Sequence, residues 1–596
     1  MTRYVIIGGG AVGATLAAEL HRADRQVVLV ARGANLEALR ERGLRYVTPR
    51  GTEVVHLPVA GGPDEVELHH DDVLVLATKS QDTEEVVRTW AWRPVGGSTA
   101  AAALPVVVLQ NGLENERIAL RRFETVFGAV VWVPTSHLEP GEVVSPAEPA
   151  VGALWLGAYP SGIHPRLSPI AADLTAARFH VEVVGDVQRW KAAKLVSNTA
   201  NGLGALYAPS SLRDAAARIT RQEAELVLGV GGITPGQVTE AVVIHDIPGH
   251  GRQGGSTWQS LHRGGAPETD YLNGEIVLQA RLSGRTAPYN AALAERVQRA
   301  VADGATPGGL GDADLLATLP DLTRRTVLVE PAELNDLLQH ESAPLVLDVR
   351  WALGDPAGHD HYRAGHVPGA VYVDLDTELA APPGGTAGRH PLPDVADLQA
   401  AARRWGVTAS RPVVVYDDNG GTSAARAWWL LRWAGLSDVR ILDGALKAWQ
   451  AKGFALATGD ESAEPGDVDL SAGHLPTLTA DEAATLADKG VLLDARAADR
   501  FRGDVEPVDP RAGHIPGARS APTAANLRDG AFLPTEELRA RFAGLEHEDV
   551  GVYCGSGVTA AHEIAALAVA GVDAALYPGS WSAWSNDPDR PVAFGE

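Results

Sequence analysis

The sequence predicts an α/β multidomain chain, and three observations carry that expectation. Short β-branched runs alternate with helical stretches from Tyr4 to about Val187, the pattern of a parallel sheet with crossover helices. From Gln188 to about Asp303 the pattern turns mainly helical, with a glycine-rich interruption at Gly249–Gly255. After the breaker-rich stretch Gly304–Gly311 the α/β alternation resumes, and it does so twice. The expected organisation is therefore a parallel α/β domain over 1–187, an all-helical domain over 188–303 and a linker over 304–326. Two related α/β domains follow, over 327–457 and 475–596.

In the first block the strands are Tyr4–Ile7, Gln26–Val30, Asp72–Ala77 and Pro105–Leu109. Gly8-Gly9-Gly10-Ala11-Val12-Gly13 follows the first of them and opens the helix Ala14–Arg22. Glycines at a strand–helix junction let the backbone approach a pyrophosphate at the helix N-terminus, so this block reads as a Rossmann domain. Gly8, Gly10, Ala11, Val12 and Gly13 are its candidate cofactor-binding residues. After the second strand stands Arg32 rather than the acid that would bind a ribose 2′-hydroxyl, which favours a 2′-phosphate and hence NADP(H).

The repeat in the last block is read from four landmarks in the same order. Val346-Leu-Asp-Val-Arg350 recurs as Leu492-Leu-Asp-Ala-Arg496, and Ala364-Gly-His-Val-Pro-Gly-Ala370 as Ala512-Gly-His-Ile-Pro-Gly-Ala518. Val413-Val-Val-Tyr416 recurs as Val550-Gly-Val-Tyr553, and Asp443-Gly-Ala-Leu-Lys-Ala-Trp449 as Pro578-Gly-Ser-Trp-Ser-Ala-Trp584. The register sets Asp417 of the first copy opposite Cys554, the sole cysteine among 596 residues. Cys554 leaves a strand into Gly555-Ser556-Gly557, and a helix is expected from Thr559 to Val569. A thiol there faces backbone N–H groups at a helix N-terminus, an environment that favours the thiolate and holds an anion. A nucleophile is the expected role.

Composition narrows the partners. The net charge of −24, from 75 acidic against 51 basic residues, disfavours nucleic acid and anionic membrane. One cysteine permits no intrachain disulfide, which fits a reducing cytoplasm. The chain opens Met-Thr-Arg-Tyr-Val-Ile-Ile-Gly, a strand and its turn, and no apolar run reaches membrane-spanning length. A cytoplasmic protein with no metal site is expected.

The two C-terminal copies resemble tandem rhodanese-like domains, and Cys554-Gly-Ser-Gly-Val-Thr559 is similar to the active-site loop of 3-mercaptopyruvate sulfurtransferases. The resemblance implies that Cys554 accepts sulfur as a persulfide and passes it to cyanide or to a thiol, small or thioredoxin-like. It implies Ser556, His366 and Asp355 as a proton relay, with Asp360 as the rival acid and His514 structural. Arg500 and Arg511 would bind the donor's carboxylate, with Gly555, Gly557, Val558 and Thr559 forming the loop around it. Uncharged Gly555 and Ser556 favour 3-mercaptopyruvate over the dianion thiosulfate.

The N-terminal half resembles the ketopantoate reductase (2-dehydropantoate 2-reductase) family. Lys79 and Gln81 follow the strand Asp72–Ala77 where that family places cofactor contacts, and Gln110-Asn111-Gly112 matches a motif at the next strand end. Trp190-Lys-Ala-Ala-Lys194-Leu-Val-Ser-Asn198 matches the helix of the catalytic lysine, with Lys194 in register and Lys191 one turn away. Ser256 and Glu268 match the substrate serine and the acid, and Asn198 would bond the substrate. The insertion His245–Gly255 just before Ser256 leaves the 2-keto acid open. The whole reads as a bifunctional fusion acting on small 2-keto acids, with a homodimer as a further expectation. The alternative is a thiosulfate sulfurtransferase or persulfide carrier joined to a non-catalytic NADP-binding module.

Overall fold

The computed structural model describes residues 2–97, 99–236, 242–251, 254–340 and 343–596 and falls into two units, Met1–Leu319 and Pro320–Glu596. In the first unit, β-branched runs buried on both faces build an eight-stranded sheet. Its order is Phe179–Val183, Gly152–Ala158, Thr125–Trp132, Pro105–Val108, Asp72–Leu76, Arg3–Ile7, Gln26–Val30 and Val59–Ala60. All neighbours are parallel except Thr125–Trp132 against Gly152–Ala158. The helix after the first strand spans Ala11–Arg22, and its N-cap, Gly10, offers no side chain to the first-turn N–H groups. Gly8 has φ +124°, and a Cβ there would sit 2.6 Å from the Ala77 carbonyl. A Cβ at Gly13 would lie 2.0 Å from the Gly8 oxygen, so Gly13 serves close helix–strand packing rather than the cofactor contact expected of it.

Smaller sheets flank the eight-stranded one: Glu142–Val144, Leu44–Thr48 and Gly51–Val55 in one, and Pro94–Val95 with Thr99–Ala100 in another. From Val187 onward the described residues of this unit are helical apart from the short strand Val243–Ile244, which pairs antiparallel with Ala147–Glu148. Asp186 and Ser210 cap the helices Val187–Asn198 and Ser211–Val230 with side-chain oxygens. The linker expected over 304–326 is corrected by two helices, Asp312–Thr318 and Leu322–Val327. Leu315 is fully buried in the first unit and Leu322 in the second, which orders each helix despite the glycines before them.

In the second unit each copy has a parallel sheet. The first runs Leu328–Val329, Val439–Leu442, Val413–Tyr416, Leu345–Asp348, Val371–Tyr372; the second, taken from its equivalent edge, runs Ala575–Leu576, Val550–Tyr553, Val491–Asp494, Arg519–Ser520. The registers coincide: Asp348 pairs Tyr416 as Asp494 pairs Tyr553. Asp417 and Cys554 therefore leave equivalent strand ends. Helices Ala424–Trp433 and Thr559–Ala570 pack together and merge the two copies into one apolar core. Among the described residues no helix is long and apolar enough to cross a membrane.

Candidate functional site

Cys554 is 1% exposed, at the end of Val550–Tyr553. The Gly557 N–H donates to its Sγ at 3.1 Å, and its own N–H donates to Ser580 Oγ at 3.1 Å. The helix Ser580–Asn586 fixes the loop from behind: Trp581 N–H and Ser582 N–H donate to the Cys554 and Gly555 carbonyls, each at 2.9 Å. Gly557 has φ +84°, which turns its N–H inward, and a Cβ there would meet the Pro578 carbonyl at 2.7 Å.

The proton relay differs from the expected one. Ser556 Oγ lies 2.8 Å from His390 Nδ1, and His390 Nε2 lies 3.2 Å from Asp376. A carboxylate only accepts, so Nε2–H donates to Asp376 and the Ser556 hydroxyl donates to Nδ1. Trp351 Nε1–H donates to the other Asp376 oxygen at 3.0 Å and sets its ring edge against His390. Burial pushes the His390 imidazole below its ordinary range, helped by Arg426 and Arg389 and opposed by Asp376. The neutral, proton-accepting form is thereby favoured. His366 is instead fully buried, with Nδ1 3.0 Å from the Tyr362 carbonyl and its ring stacked on Tyr362. His514 does the same with Phe501, so both histidines hold turns. Asp355 is exposed and paired with His361 at 3.1 Å; Asp360 has no place near the loop's hydrogen bonds.

A cavity of about 290 Å³ opens over the loop, lined by Gly555, Ser556, Val558 and Thr559 together with Arg389 and Arg500. A Cβ on Gly555 would sit 3.0 Å from Arg389 and 3.5 Å from Arg500, so both guanidinium groups hang over that glycine. Arg500 bonds Glu506 at 2.6 Å and Asp509 at 3.1 Å, and Arg389 pairs with the same Asp509. Arg511 is removed from the set: all its donors go to backbone carbonyls of Trp584, Ser585, Asp587 and Arg590, closing the end of a helix. Sequence reasoning missed His390, Asp376 and Arg389. The signal available was the Gly388-Arg389-His390-Pro391 loop, which has no counterpart in the second copy. Gly388, at φ +90°, approaches the Gly579 carbonyl closely enough that a Cβ would sit 2.9 Å from it.

In the first unit a cavity of about 1280 Å³ runs along the strand ends. Gly8, Gly10, Ala11, Val12, Arg32, Lys79 and Asn111 line one part of it; Lys194, Asn198, Ser256 and Glu268 line the other. Gln81 does not line it; its amide reaches Ala266 O at 3.4 Å. A Cβ on Gly10 would meet nothing within 4 Å, so the cradle is open before unpaired first-turn N–H groups, and Arg32 stands at the rim. These features fit a dinucleotide phosphate. Lys194 Nζ sits 3.8 Å over the Trp132 ring, whereas Lys191 is buried against Glu116 and the Gln110 carbonyl. Glu268 accepts the Ser80 N–H and hydroxyl, each at 2.8 Å, and lies 3.4 Å from Lys79. Asn198 donates to Asn111 at 3.2 Å. Of the insertion His245–Gly255, Arg252 and Gln253 lie outside the described residues; His245, Ile247 and His250 line the cavity.

The second unit thus presents a thiol-based transfer site on a duplicated α/β fold, and the first a dinucleotide-fold cleft with an ammonium group. Residues 4–161 match the family described as ketopantoate reductase PanE/ApbA, and residues 186–300 match its C-terminal part. Residues 330–452 and 479–587 match the rhodanese-like domain. The chain belongs to the tandem-rhodanese sulfurtransferases through its C-terminal half, fused to a ketopantoate reductase-type N-terminal half. It is 52% identical over 281 residues to the "Putative thiosulfate sulfurtransferase SseB" of Mycobacterium tuberculosis, covering 46% of this chain and 98% of that protein. It is 50% identical over 265 residues to the "Probable 3-mercaptopyruvate sulfurtransferase" of Pseudomonas aeruginosa, covering 42% and 93%. A PanE/ApbA family ketopantoate reductase structure from Ralstonia eutropha JMP134 is 27% identical, covering 50% of this chain and 99% of that one, with a TM-score of 0.42.

Proposed function

We propose that the C-terminal half moves sulfur from 3-mercaptopyruvate to a thiol, small or thioredoxin-like, through a persulfide on Cys554. The observation that carries this is the Ser556–His390–Asp376 chain beside an uncharged Gly555-Ser556 loop. Attack of the Cys554 thiolate on the donor sulfur forms the S–S bond as the C–S bond breaks. The electron pair left on carbon gives the enolate of pyruvate, which takes the proton lost by the donor thiol, carried by Ser556 and His390. An acceptor thiolate then attacks the outer sulfur and returns Cys554 as thiolate. Arg389 and Arg500 hold the donor's single carboxylate. Mass spectrometry after 3-mercaptopyruvate treatment is expected to show one added sulfur, at Cys554; no adduct with any donor overturns the reading. Thiosulfate is the second reading, favoured by the name of the 52% identical relative.

The N-terminal half is proposed to reduce a 2-keto acid with NADPH. When bound, the reduced nicotinamide supplies hydride to a carbonyl carbon. Lys194 stabilises negative charge on the carbonyl oxygen and hands it a proton, Ser256 and Asn198 bind the substrate, and Glu268, fixed by Ser80, orients it. Arg32 would hold the 2′-phosphate. NADPH oxidation with a panel of 2-keto acids tests this: Lys194→Ala is expected to lose about 10²-fold in kcat, and no oxidation with any 2-keto acid in the intact protein sinks it.

A further inference from the structure

Arg426, on the helix Ala424–Trp433 of the cysteine-less copy, is completely buried, yet every hydrogen bond it makes goes to a backbone carbonyl. Nε donates to Leu379 O at 3.2 Å, Nη2 to His390 O and Pro391 O at 3.1 Å each, and Nη1 to Gly557 O at 3.4 Å. The other buried arginines of this unit each face a carboxylate: Arg350 with Asp348, Arg440 with Glu333, Arg496 with Asp494. Among the described residues Arg426 pairs with none. A guanidinium taken out of water without an anion is strongly disfavoured, so an anion is expected within reach.

The site supplies one. Gly557 accepts from Arg426 with its carbonyl and donates its N–H to Cys554 Sγ. Burial pulls the Arg426 guanidinium down to about 10, and the negative charge on Cys554 is the one charge acting against that fall. The pseudo-symmetric contact behaves differently. His562 of the second copy's helix Thr559–Ala570 reaches the Gly420 carbonyl of the first copy's loop at 3.2 Å. Burial holds that imidazole near 4, hence neutral. The loop it faces already satisfies the Asp417 carboxylate with four backbone N–H groups, from Asn419, Gly421, Ser423 and Ala424. A cation faces the loop whose anion is a sulfur with fewer donors; a neutral ring faces the loop whose anion is fully bonded.

We propose that Arg426 is the counter-cation of Cys554, a positioning residue supplied by the first copy that balances the thiolate and then the persulfide. It rests on the reading of Cys554 as the sulfur carrier. The charge stays at minus one when the thiolate becomes a persulfide anion, so one fixed cation serves both states. Through His390 O and Gly557 O the same side chain ties the relay histidine to the loop. The other charged groups facing the site have partners of their own: Arg389 and Arg500 with Asp509 and Glu506, Arg496 with Asp494, His390 with Asp376.

The sole cysteine makes the test direct. Thiolate ultraviolet absorbance and iodoacetamide alkylation are followed across pH in the full chain, with Cys554→Ser as blank and thermal unfolding as the fold control. In Arg426→Met the midpoint of both profiles is expected to rise by about one pH unit or more, and alkylation at neutral pH to fall about tenfold. Arg426→Lys is expected to restore most of the shift while leaving the carbonyls less well held, lowering kcat. If Arg426→Met does not fold, Arg426→Gln is read by the same criterion. A folded charge-removing variant with unmoved profiles, or a lysine variant shifted as far as the methionine one, overturns the assignment. No sulfur donor enters this measurement. Failure of persulfide formation in the unaltered protein would therefore strike the functional reading alone.

Discussion

The two rhodanese copies share strand register, the tyrosine that ends the central strand and the Gly-His-x-Pro-Gly turn, yet they diverge where strand meets loop. Tyr416 and Tyr553 each accept a backbone N–H from the turn, Val367 and Ile515, at 3.0 and 3.1 Å. One residue later, copy one has Asp417, buried and bonded by four N–H groups; copy two has Cys554. Both loops are built for an anion. Copy one fills the place with a carboxyl group that four N–H donors hold and whose pKa burial pushes upward, and copy two leaves it to a thiol. The catalytic copy is also incomplete alone, because His390, Asp376, Arg389 and Arg426 all come from the other. Duplication here divides the site: Cys554, Ser556 and Arg500 come from one copy, and His390, Asp376, Arg389 and Arg426 from the other.

Exchanging the carboxyl and the thiol tests most severely whether the two loops are equivalent. Cys554→Ser is expected to reduce sulfur transfer to background and to leave NADPH oxidation unchanged. Adding Asp417→Cys to that variant is expected not to restore it. The first loop runs from Asp417 to a helix start at Ala424, against Cys554 to Thr559; it lacks the Ser556–His390 pair, and the neutral His562 faces it where Arg426 faces the other loop. Persulfide at residue 417, read by mass spectrometry, would show the loops to be interchangeable after all.

The next largest effect separates the relay histidine from its look-alike. Ser556→Ala and His390→Asn are expected to lower kcat about 10²-fold or more, as for a lost general acid–base group. His366→Asn is expected to keep kcat within about twofold while lowering the unfolding temperature, since it breaks a buried turn. Asp376→Asn should cost less than either relay change, because Asp376 is 59% exposed at its side chain. Asp376 opposes the downward push on His390, so its removal lowers the imidazole further and moves the acidic limb of the kcat profile to lower pH. An unmoved acidic limb would place the titrating group elsewhere.

Smaller still is the expected change in donor choice. Asp509 neutralises Arg389 from one copy and Arg500 from the other. Asp509→Asn leaves the two guanidinium groups with Glu506 alone, a more positive pocket that suits a dianion. The ratio of thiosulfate to 3-mercaptopyruvate kcat/KM should rise several-fold, about 1 kcal/mol of discrimination. A ratio that falls would mean that Asp509 orders the arginines rather than neutralises them.

What the sequence made legible follows from periodicity. Strands such as Gln26–Val30, the glycine turn before Ala11, and the alignment of Asp417 with Cys554 are local patterns that survive folding. Lys194 was placed by register on a helix and lines the cleft, because a helical face is fixed by spacing. The relay was misread because the Gly-His-x-Pro-Gly motif is shared by both copies, and what both share tends to hold the fold. His390 sits in the long Leu379–Pro391 excursion, whose path across the second copy no spacing rule gives. Arg511 was misread for a related reason: its partners are backbone carbonyls from 584 to 590, distant in sequence.

The finest contrast lies in what replaces Arg426 and Ala427 on the second helix, the pair His562 and Glu563. Burial holds His562 near 4, against 6.5 when unfolded. The unfolded chain therefore binds more protons between those values, and this residue's contribution to stability is lost as pH falls from 6.5 through 4. Burial raises Glu563 to about 7, against 4.5 unfolded. Here the folded state binds more protons, so stability is lost as pH rises from 4.5 through 7. Each shift corresponds to about 3 kcal/mol at the end of its window, with opposite slopes over nearly the same range, so the two contributions oppose each other. Urea unfolding of the C-terminal unit in the full chain separates them. Relative to the unaltered protein, His562→Gln should tilt the stability profile downward with rising pH, and Glu563→Gln should tilt it upward. If neither variant tilts the profile, His562 and Glu563 do not titrate in this window, and the replacement of Arg426 is the one charge difference between the two helix starts that matters for the loops.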